Sequence, residues 1–283
     1  MQVIDQLLKE YNLIHKKEDL MKIAALSIGI VKELTNEVDI PIGQSKFGGL
    51  PDLPSHFSFP TYHNGYLSFL AQLNLLEAKL FDGENLLPNT GILYFFYDVV
   101  NQPWGFDKDD NGCFKVFYFD GDVKELTRTA YPEETEDYFP LPVYKATFDK
   151  FISFPSEISG IELDEEELDR YFEFRDSIMQ RKESVENDEG LPAYPMHYMF
   201  GEPFTIQNNV FEDVIYYDNK EKIDWDSKEI KQKRNEMVLL FQMDSDDELG
   251  VMWGDVGILY FCIDKHDLHD KQFDQTKFTL QCY

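Results

Sequence analysis

Long apolar runs are missing from this 283-residue chain. No stretch approaches the roughly 20 consecutive apolar residues that a helix needs to cross a bilayer. The opening MQVIDQLLKEYNLIHKKEDL has no positive leader followed by an apolar stretch and a small-residue cleavage site. A soluble, unexported protein with no membrane partner is therefore expected. Cysteine is also scarce, with three in all. Cys113, Cys262 and Cys282 are odd in number and stand among apolar or aromatic neighbours. That pattern favours buried thiols in a reducing compartment, the cytoplasm, over a disulfide framework.

Positive charge is the third shortage. Lys and Arg number 26 against 54 Asp and Glu, for a formal net charge of −28. Nucleic-acid binding depends on Lys and Arg displacing counterions from phosphates, so a DNA or RNA partner is disfavoured. The same field would speed encounter with a basic protein, or simply keep a Phe-rich chain in solution.

Sequence signatures of catalysis are missing too. There is no G-x-G-x-x-G, P-loop or G-x-S-x-G elbow, and no Cys in a context that marks a thiolate. His266 and His269 in DKHDLHD lack the H-E-x-x-H spacing, and Asp264, Asp267 and Asp270 suit helix-start caps instead. No cofactor is expected. Catalysis stays open, although a binding protein is favoured, because triads assemble across a fold rather than along a sequence.

Apolar and aromatic material is plentiful. The hydrophobic fraction is 43%, and 24 Phe and 16 Tyr dominate the aromatics, enough for a sizeable globular core. Helical spacing from Ile4 onward gives two short N-terminal helices within residues 1–26. Strands are expected at Ser27–Leu34, Phe69–Leu75, Gly91–Asp98 and Cys113–Asp120 and in ATFDKFISFP, with the Gly- and Pro-rich loop PIGQSKFGGLPDLP between the first two. IELDEEELDRYFEFRDSIMQR, Ile161 to Arg181, reads as a helix with acids in its first turns.

The second half then restates the first. HYMFGEP (197–203) matches SKFGGLP (45–51), with Phe200 set against Phe47. VLLFQMDSD matches SFLAQLNLL with Gln242 opposite Gln72. GILYFCID (257–264) matches GILYFFYD (91–98), and KFTLQCY matches CFKVFYF. Four matches in one order, with loops of changed length between them, indicate a duplicated module. The expected fold class is α+β: one strand-rich body with internal duplication, N-terminal helices (1–26), a first β repeat (27–155), an acidic helical insertion (156–190) and a second β repeat (191–283).

SKFGGLPDLP followed by FLAQLNL, GILYFFYD and later LLFQMDSDDELGVMWGDVGILYF resembles the YwqG-like family of bacterial proteins, built on a domain of unknown function. The resemblance spans nearly the whole chain. It implies a strand-rich α+β fold with internal duplication, no established chemistry, and a toxin-neutralising role as one conjecture.

Four groups are candidates for function. Gly48 and Gly49 allow positive φ and close backbone approach by an anion, although Pro51 and Pro54 remove donors and a structural turn explains them equally. Gln72 and Gln242, embedded in apolar strands, either face a shared cleft or fix the packing of the halves through internal hydrogen bonds. Asp107, Asp109 and Asn111 in DKDDNG begin like an EF-hand, but position twelve is Tyr118, and an Asn-Gly hairpin turn fits as well. Asp244, Asp246, Asp247, Glu248 and Asp255 in MDSDDELGVMWGD form the densest acidic group. Such a loop could coordinate a hard cation through oxygen ligands, Trp253 is a candidate partner anchor, and an acidic surface loop is the plainer alternative.

Overall fold

The alternating apolar strands join edge to edge into one antiparallel sheet. The computed structural model describes residues 2–105, 107–132, 139–179, 196–218, 223–225 and 227–283. Its strands are β1 (Ala25–Leu34), β2 (Lys46–Phe47), β3 (Asp52–Pro54), β4 (Thr61–Tyr62), β5 (Gly65–Tyr66), β6 (Ser68–Asn74), β7 (Ile92–Tyr97), β8 (Phe114–Phe119), β9 (Leu126–Arg128), β10 (Tyr144–Ser153), β11 (Tyr198–Met199), β12 (Met237–Asp244), β13 (Ile258–Asp264) and β14 (Lys277–Gln281). Ten of them form the main sheet in the order β14-β13-β12-β11-β1-β10-β2-β6-β7-β8, and β3-β9 and β4-β5 are small separate pairs.

That order is a pseudo-twofold arrangement. β1 and β10 pair over ten residues, from Ala25 opposite Ser153 to Leu34 opposite Tyr144. On one side β10 bonds β2, which leads to β6, β7 and β8; on the other β1 bonds β11, which leads to β12, β13 and β14. The ladders agree in register. Gln72 lies opposite Tyr94, and Gln242 opposite Tyr260. Even the irregularities repeat: a bulge falls between Phe69 and Ala71 and another between Leu239 and Phe241, in each case just before the glutamine. A bulge bends its strand and strengthens twist, so the two ladders curl alike. The repeated unit also fixes the alignment of the loops. Phe200 stands where Gly48 stands, not Phe47, because β2 and β11 end at Phe47 and Met199 and a left-handed pair follows each: Gly48 and Gly49 (φ 57 and 65), Phe200 and Gly201 (φ 60 and 74).

The sheet folds over on itself. Phe95 of β7 meets Phe241 of β12 and Phe261 of β13 with ring centroids 4.8 and 5.1 Å apart, although these strands lie far apart in the sheet. Inward residues of both ladders, among them Leu73, Leu93, Phe241 and Leu259, share one apolar core. Outward residues form separate cores: Tyr94, Phe96 and Leu53 in the first half, Tyr260, Leu239 and Cys262 in the second.

Seven helices border the sheet among the described residues: α1 (Gln2–Glu10), α2 (Lys17–Ile23), α3 (Leu75–Ala78), α4 (Glu165–Ile178), α5 (Val210–Asp218), α6 (Lys228–Glu236) and α7 (Lys265–His269). α1, α2 and α4 bury Leu8, Leu20, Tyr171 and Phe174 in a fourth core. α4 starts later than the expected Ile161 because Asp164 caps it, accepting from the Glu167 N–H while Glu167 returns the bond. The rest of the acidic insertion, residues 180–190, and the start of the second repeat, 191–195, lie outside the described residues. Asp264 caps α7 as anticipated, accepting from His266 N–H at 2.7 Å. α5 and α6 lie outside the expected elements. Cys113, Cys262 and Cys282 are free and buried, and burial pushes the Cys113 and Cys262 thiols up. No described helix is long and apolar enough to cross a membrane.

Candidate functional site

A buried glutamine carries an amide oxygen and an NH2 that both need partners, and each half supplies them in the same way. In the first half Gln72 Oε1 accepts from Asp52 N–H at 2.9 Å, and its Nε2 donates to the Gln44 carbonyl at 2.8 Å. In the second, Gln242 Oε1 accepts from Phe204 N–H and Nε2 donates to the Met196 carbonyl, both at 3.1 Å. Tyr94 OH closes on the Asp52 carbonyl, and Tyr260 OH on the Phe204 carbonyl. Lys46 Nζ reaches the Leu50 carbonyl where Tyr198 OH reaches the Glu202 carbonyl. The two glutamines therefore face outward into different cores and pin their own loops. They line no common cleft, which corrects that reading of the pair.

The halves differ in what surrounds the pinned loop. In the first half, Lys46 and Asp52 are fully buried. Lys46 Nζ meets Glu37 Oε1 at 3.1 Å and Asp52 Oδ1 at 3.8 Å. Arg128 Nε donates to Asp52 Oδ1 at 3.0 Å. Burial lowers the Lys46 ammonium from its ordinary value, and Asp52 and Glu37 hold it partly up. Glu37 Oε1 also accepts from Leu50 N–H at 2.7 Å, and a Cβ on Gly49 would fall 2.4 Å from it. Gly49 N–H donates to the Leu141 carbonyl at 3.0 Å. The protein's own groups thus fill the space beside Gly48 and Gly49 that an anion would need.

In the second half Tyr198 stands for Lys46 and Phe204 for Asp52, and Arg175 lies over the Phe204 ring at 4.4 Å. Ser153 Oγ accepts from Glu202 N–H at 2.7 Å, the bond that Glu37 makes in the first half. Beside this loop opens a cleft of about 490 Å³, whose wall includes Phe200, Gly201, Glu202, Glu157, Asn209 and Arg234. Gly201 N–H, the counterpart of Gly49 N–H, has no acceptor among the described residues. The Glu202 carboxyl, partly buried, has no hydrogen-bond or ion-pair partner there either. Burial raises its pKa above the ordinary carboxyl value against the pull of Arg175 and Arg234, with Glu157 adding to the rise. A protonatable carboxyl beside an unused backbone donor is an arrangement that binds a polar ligand. Sequence reasoning missed Glu202. The signal was available, since an acid replaces the apolar Leu50 at the same place in the repeated motif.

A family model described as a domain of unknown function (DUF1963) matches residues 45–282. The chain belongs to the DUF1963 family. The matched span opens at the first pinned loop and closes after β14, so both ladders lie inside one DUF1963 unit. No curated protein matches the chain.

The remaining candidates in this DUF1963 chain serve the fold. Asp244 is buried, with Oδ2 accepting from Met196 N–H at 3.0 Å. Asp246 is buried between Lys32 Nζ at 2.5 Å and His197 Nε2 at 2.9 Å. Its own burial would raise its pKa, but the His197 bond and Lys32 outweigh that and hold the carboxyl at about 2. His197 Nδ1 accepts from Asp244 N–H at 3.2 Å, so both ring nitrogens are engaged and neither is free to act as a base. Trp253 is no partner anchor. It is fully buried, with Nε1 donating to the Asp244 carbonyl at 3.1 Å and its ring edge-on to Tyr97. Only Asp247, Glu248 and Asp255 of that acidic group reach the surface.

Asp107 and Asp110 form a capping box around a short 3₁₀ turn, with Gly105 N–H on Asp110 Oδ2 at 2.9 Å. Asn111 (φ −61, ψ 118) and Gly112 (φ 95) then make a type II turn closed by Cys113 N–H on the Asp110 carbonyl, rather than a two-residue hairpin loop. Asp107, Asp109 and Asn111 therefore sit in a capped turn, and no group of three or more metal-ligating side chains occurs among the described residues.

Proposed function

We propose that this chain is a cytoplasmic binding protein that holds a small polar ligand in the cleft beside Phe200–Pro203. One observation carries this reading. Two loops of the same backbone geometry are pinned by equivalent hydrogen bonds, yet the first is packed by Glu37, Lys46 and Arg128 while the second borders a cleft with the Gly201 N–H and Glu202 carboxyl unused. No Cys or His is among the described residues that line the cleft, which supports binding over catalysis there. The test is ligand capture from a metabolite mixture by ultrafiltration and mass spectrometry, comparing the native chain with Ser159→Trp. Ser159 is an exposed residue of the cleft wall, so its indole would fill the space without disturbing a core. A captured metabolite that is lost in the variant is the expected result. Equal capture by both proteins refutes the site.

A second reading keeps the capture of a basic protein, including the toxin neutralisation that the YwqG-like resemblance implies. It is supported by the outer face of α4, where Glu165, Glu166, Asp169 and Glu173 are exposed around Leu168 and Phe172, themselves 37% and 36% exposed. Electrostatic capture would weaken steeply between low and moderate salt, and Glu166→Lys with Asp169→Lys would abolish it. Capture indifferent to both removes this reading.

A further inference from the structure

We propose that the cleft recognises an ammonium or guanidinium group, with Glu202 as its counter-ion and the Gly201 N–H holding an acceptor atom beside it. This inference rests on the cleft being a ligand site and names the chemistry of its occupant. Six charged residues line the wall: Lys22, Arg234 and Lys265, and Glu84, Glu157 and Glu202. All three cations already have acceptors within the chain. Lys22 Nζ is 2.6 Å from Asp19, Arg234 Nη1 is 2.7 Å from Glu212, and Lys265 Nζ donates to the Asn235 carbonyl at 2.9 Å. Glu157 is committed in part, 3.6 Å from Arg234, and Glu84 is exposed to water at the rim. Glu202 alone is both partly buried and unpaired.

The partly buried charge of the cleft that lacks a partner among the described residues is therefore negative. An anionic ligand would find Lys22 and Arg234 already ion-paired and Lys265 held on the Asn235 carbonyl, and it would approach a chain of net charge −28. A cation meets the opposite situation: the long-range field attracts it, and at contact it supplies the charge-assisted bond that Glu202 lacks. The titratable groups facing that carboxyl are Arg175 and Tyr171 of α4, Tyr198 of β11, Arg234 of α6 and Glu157 after β10. Arg175 does not line the cleft; its Nε donates to the Phe154 carbonyl at 3.1 Å behind the loop. Burial raises the Glu202 pKa and a cation at the carboxyl would lower it again, so binding is linked to pH. The amine itself has two sources, a free small molecule or a lysyl side chain of a peptide, and both satisfy the same geometry.

The test uses the full chain with three probes: 1,5-diaminopentane, a blocked Gly-Lys-Gly peptide, and 1-pentanol as the neutral control. Calorimetry over a series of pH values in two buffers of different ionisation enthalpy reads affinity and its linkage to protons together. Amide NMR shifts at Gly201 and Glu202 locate the site. An amine probe should shift those amides and bind more tightly as pH rises through the Glu202 titration, pentanol should not bind, Glu202→Gln should weaken the amine at least tenfold, and Glu202→Asp should retain part of the affinity. Binding of the peptide alone or the diamine alone identifies the source and supports the shared chemistry. Amine binding that survives Glu202→Gln unchanged, or pentanol bound equally well, overturns the inference. If no amine binds but a captured metabolite shifts the cleft amides and is lost in Ser159→Trp, the inference fails and the binding site stands. If nothing shifts those amides, both fail.

Discussion

Replacing Gln72 by leucine tests the claim that the paired glutamines hold the loops. Gln72 is fully buried and makes three bonds: to Asp52 N–H, to the Gln44 carbonyl and to Asp52 Oδ2 at 2.8 Å. Leucine keeps the bulk and removes all three. The Asp52 carboxylate retains Gly43 N–H at 2.9 Å and Arg128, so two backbone groups are left without their partner and one charge-assisted bond is lost. At about 1–3 kcal/mol for each buried unsatisfied group, the expected destabilisation is about 3–5 kcal/mol. Gln242→Leu strips the Phe204 N–H and the Met196 carbonyl but touches no charge, so it should cost about 1 kcal/mol less. Urea unfolding followed by far-UV circular dichroism measures both. With a slope of about 3 kcal/mol/M, Gln72→Leu should lower the midpoint by about 1–1.7 M at unchanged slope. A shift below about 0.3 M, or a larger loss from Gln242→Leu, would refute the argument that these amides organise the loops.

Three further outcomes follow from the same network. Gly201→Ala forces a left-handed alanine (φ 74) whose Cβ would lie 1.9 Å from Ser27 Oγ and 2.3 Å from Ser153 Oγ; a loss of about 2–4 kcal/mol in thermal or urea unfolding is expected. Asp246, held at about 2 against an ordinary 3.8, stabilises the fold above pH 4 and loses that contribution as pH falls from about 4 to 2, a change of about 2 kcal/mol; Asp246→Asn should flatten this part of the pH–stability curve. Glu202 has the opposite sign: its folded carboxyl is raised, so stability is greatest while it is protonated and declines as pH rises through its titration. Glu202→Gln should therefore melt at a slightly higher temperature than the native chain at pH 7, and a lower one would contradict its unpaired burial.

The strands were legible because their periodicity and their restatement in the second half pointed the same way. GILYFFYD and GILYFCID both became strands buried along their length. α5 and α6 were not legible, for opposite reasons. VFEDVIYYD is rich in β-branched and aromatic residues of modest helix propensity; it is helical because Asn209 Oδ1 accepts from Phe211 and Glu212 N–H and because Val210 and Val214 pack on the second-half core. KEIKQKRNE is polar nearly all round, with Ile230 alone reaching that core, and its Ser227 cap supplies the start signal. The acidic loop misled differently. Proximity in sequence suggested one surface, but Asp244 and Asp246 lie inside, tied to Met196, Lys32 and His197 across the sheet.

Comparison of the two halves also explains why a site would form in one and not the other. A buried charge is tolerated only when its partners are at hand, and the first half meets that condition with Lys46, Asp52, Arg128 and Glu37 in mutual contact. Every one of those groups is turned inward, so the loop has nothing left to offer a ligand. In the second half, Tyr198 and Phe204 do the same pinning with a neutral hydroxyl and an aromatic face. Neither of those two residues carries a charge, and the Glu202 carboxyl, two positions before Phe204, makes no hydrogen bond or ion pair among the described residues. Substitutions at Lys46 or Asp52 should consequently act on stability, whereas substitutions at Glu202 should act on what the cleft binds.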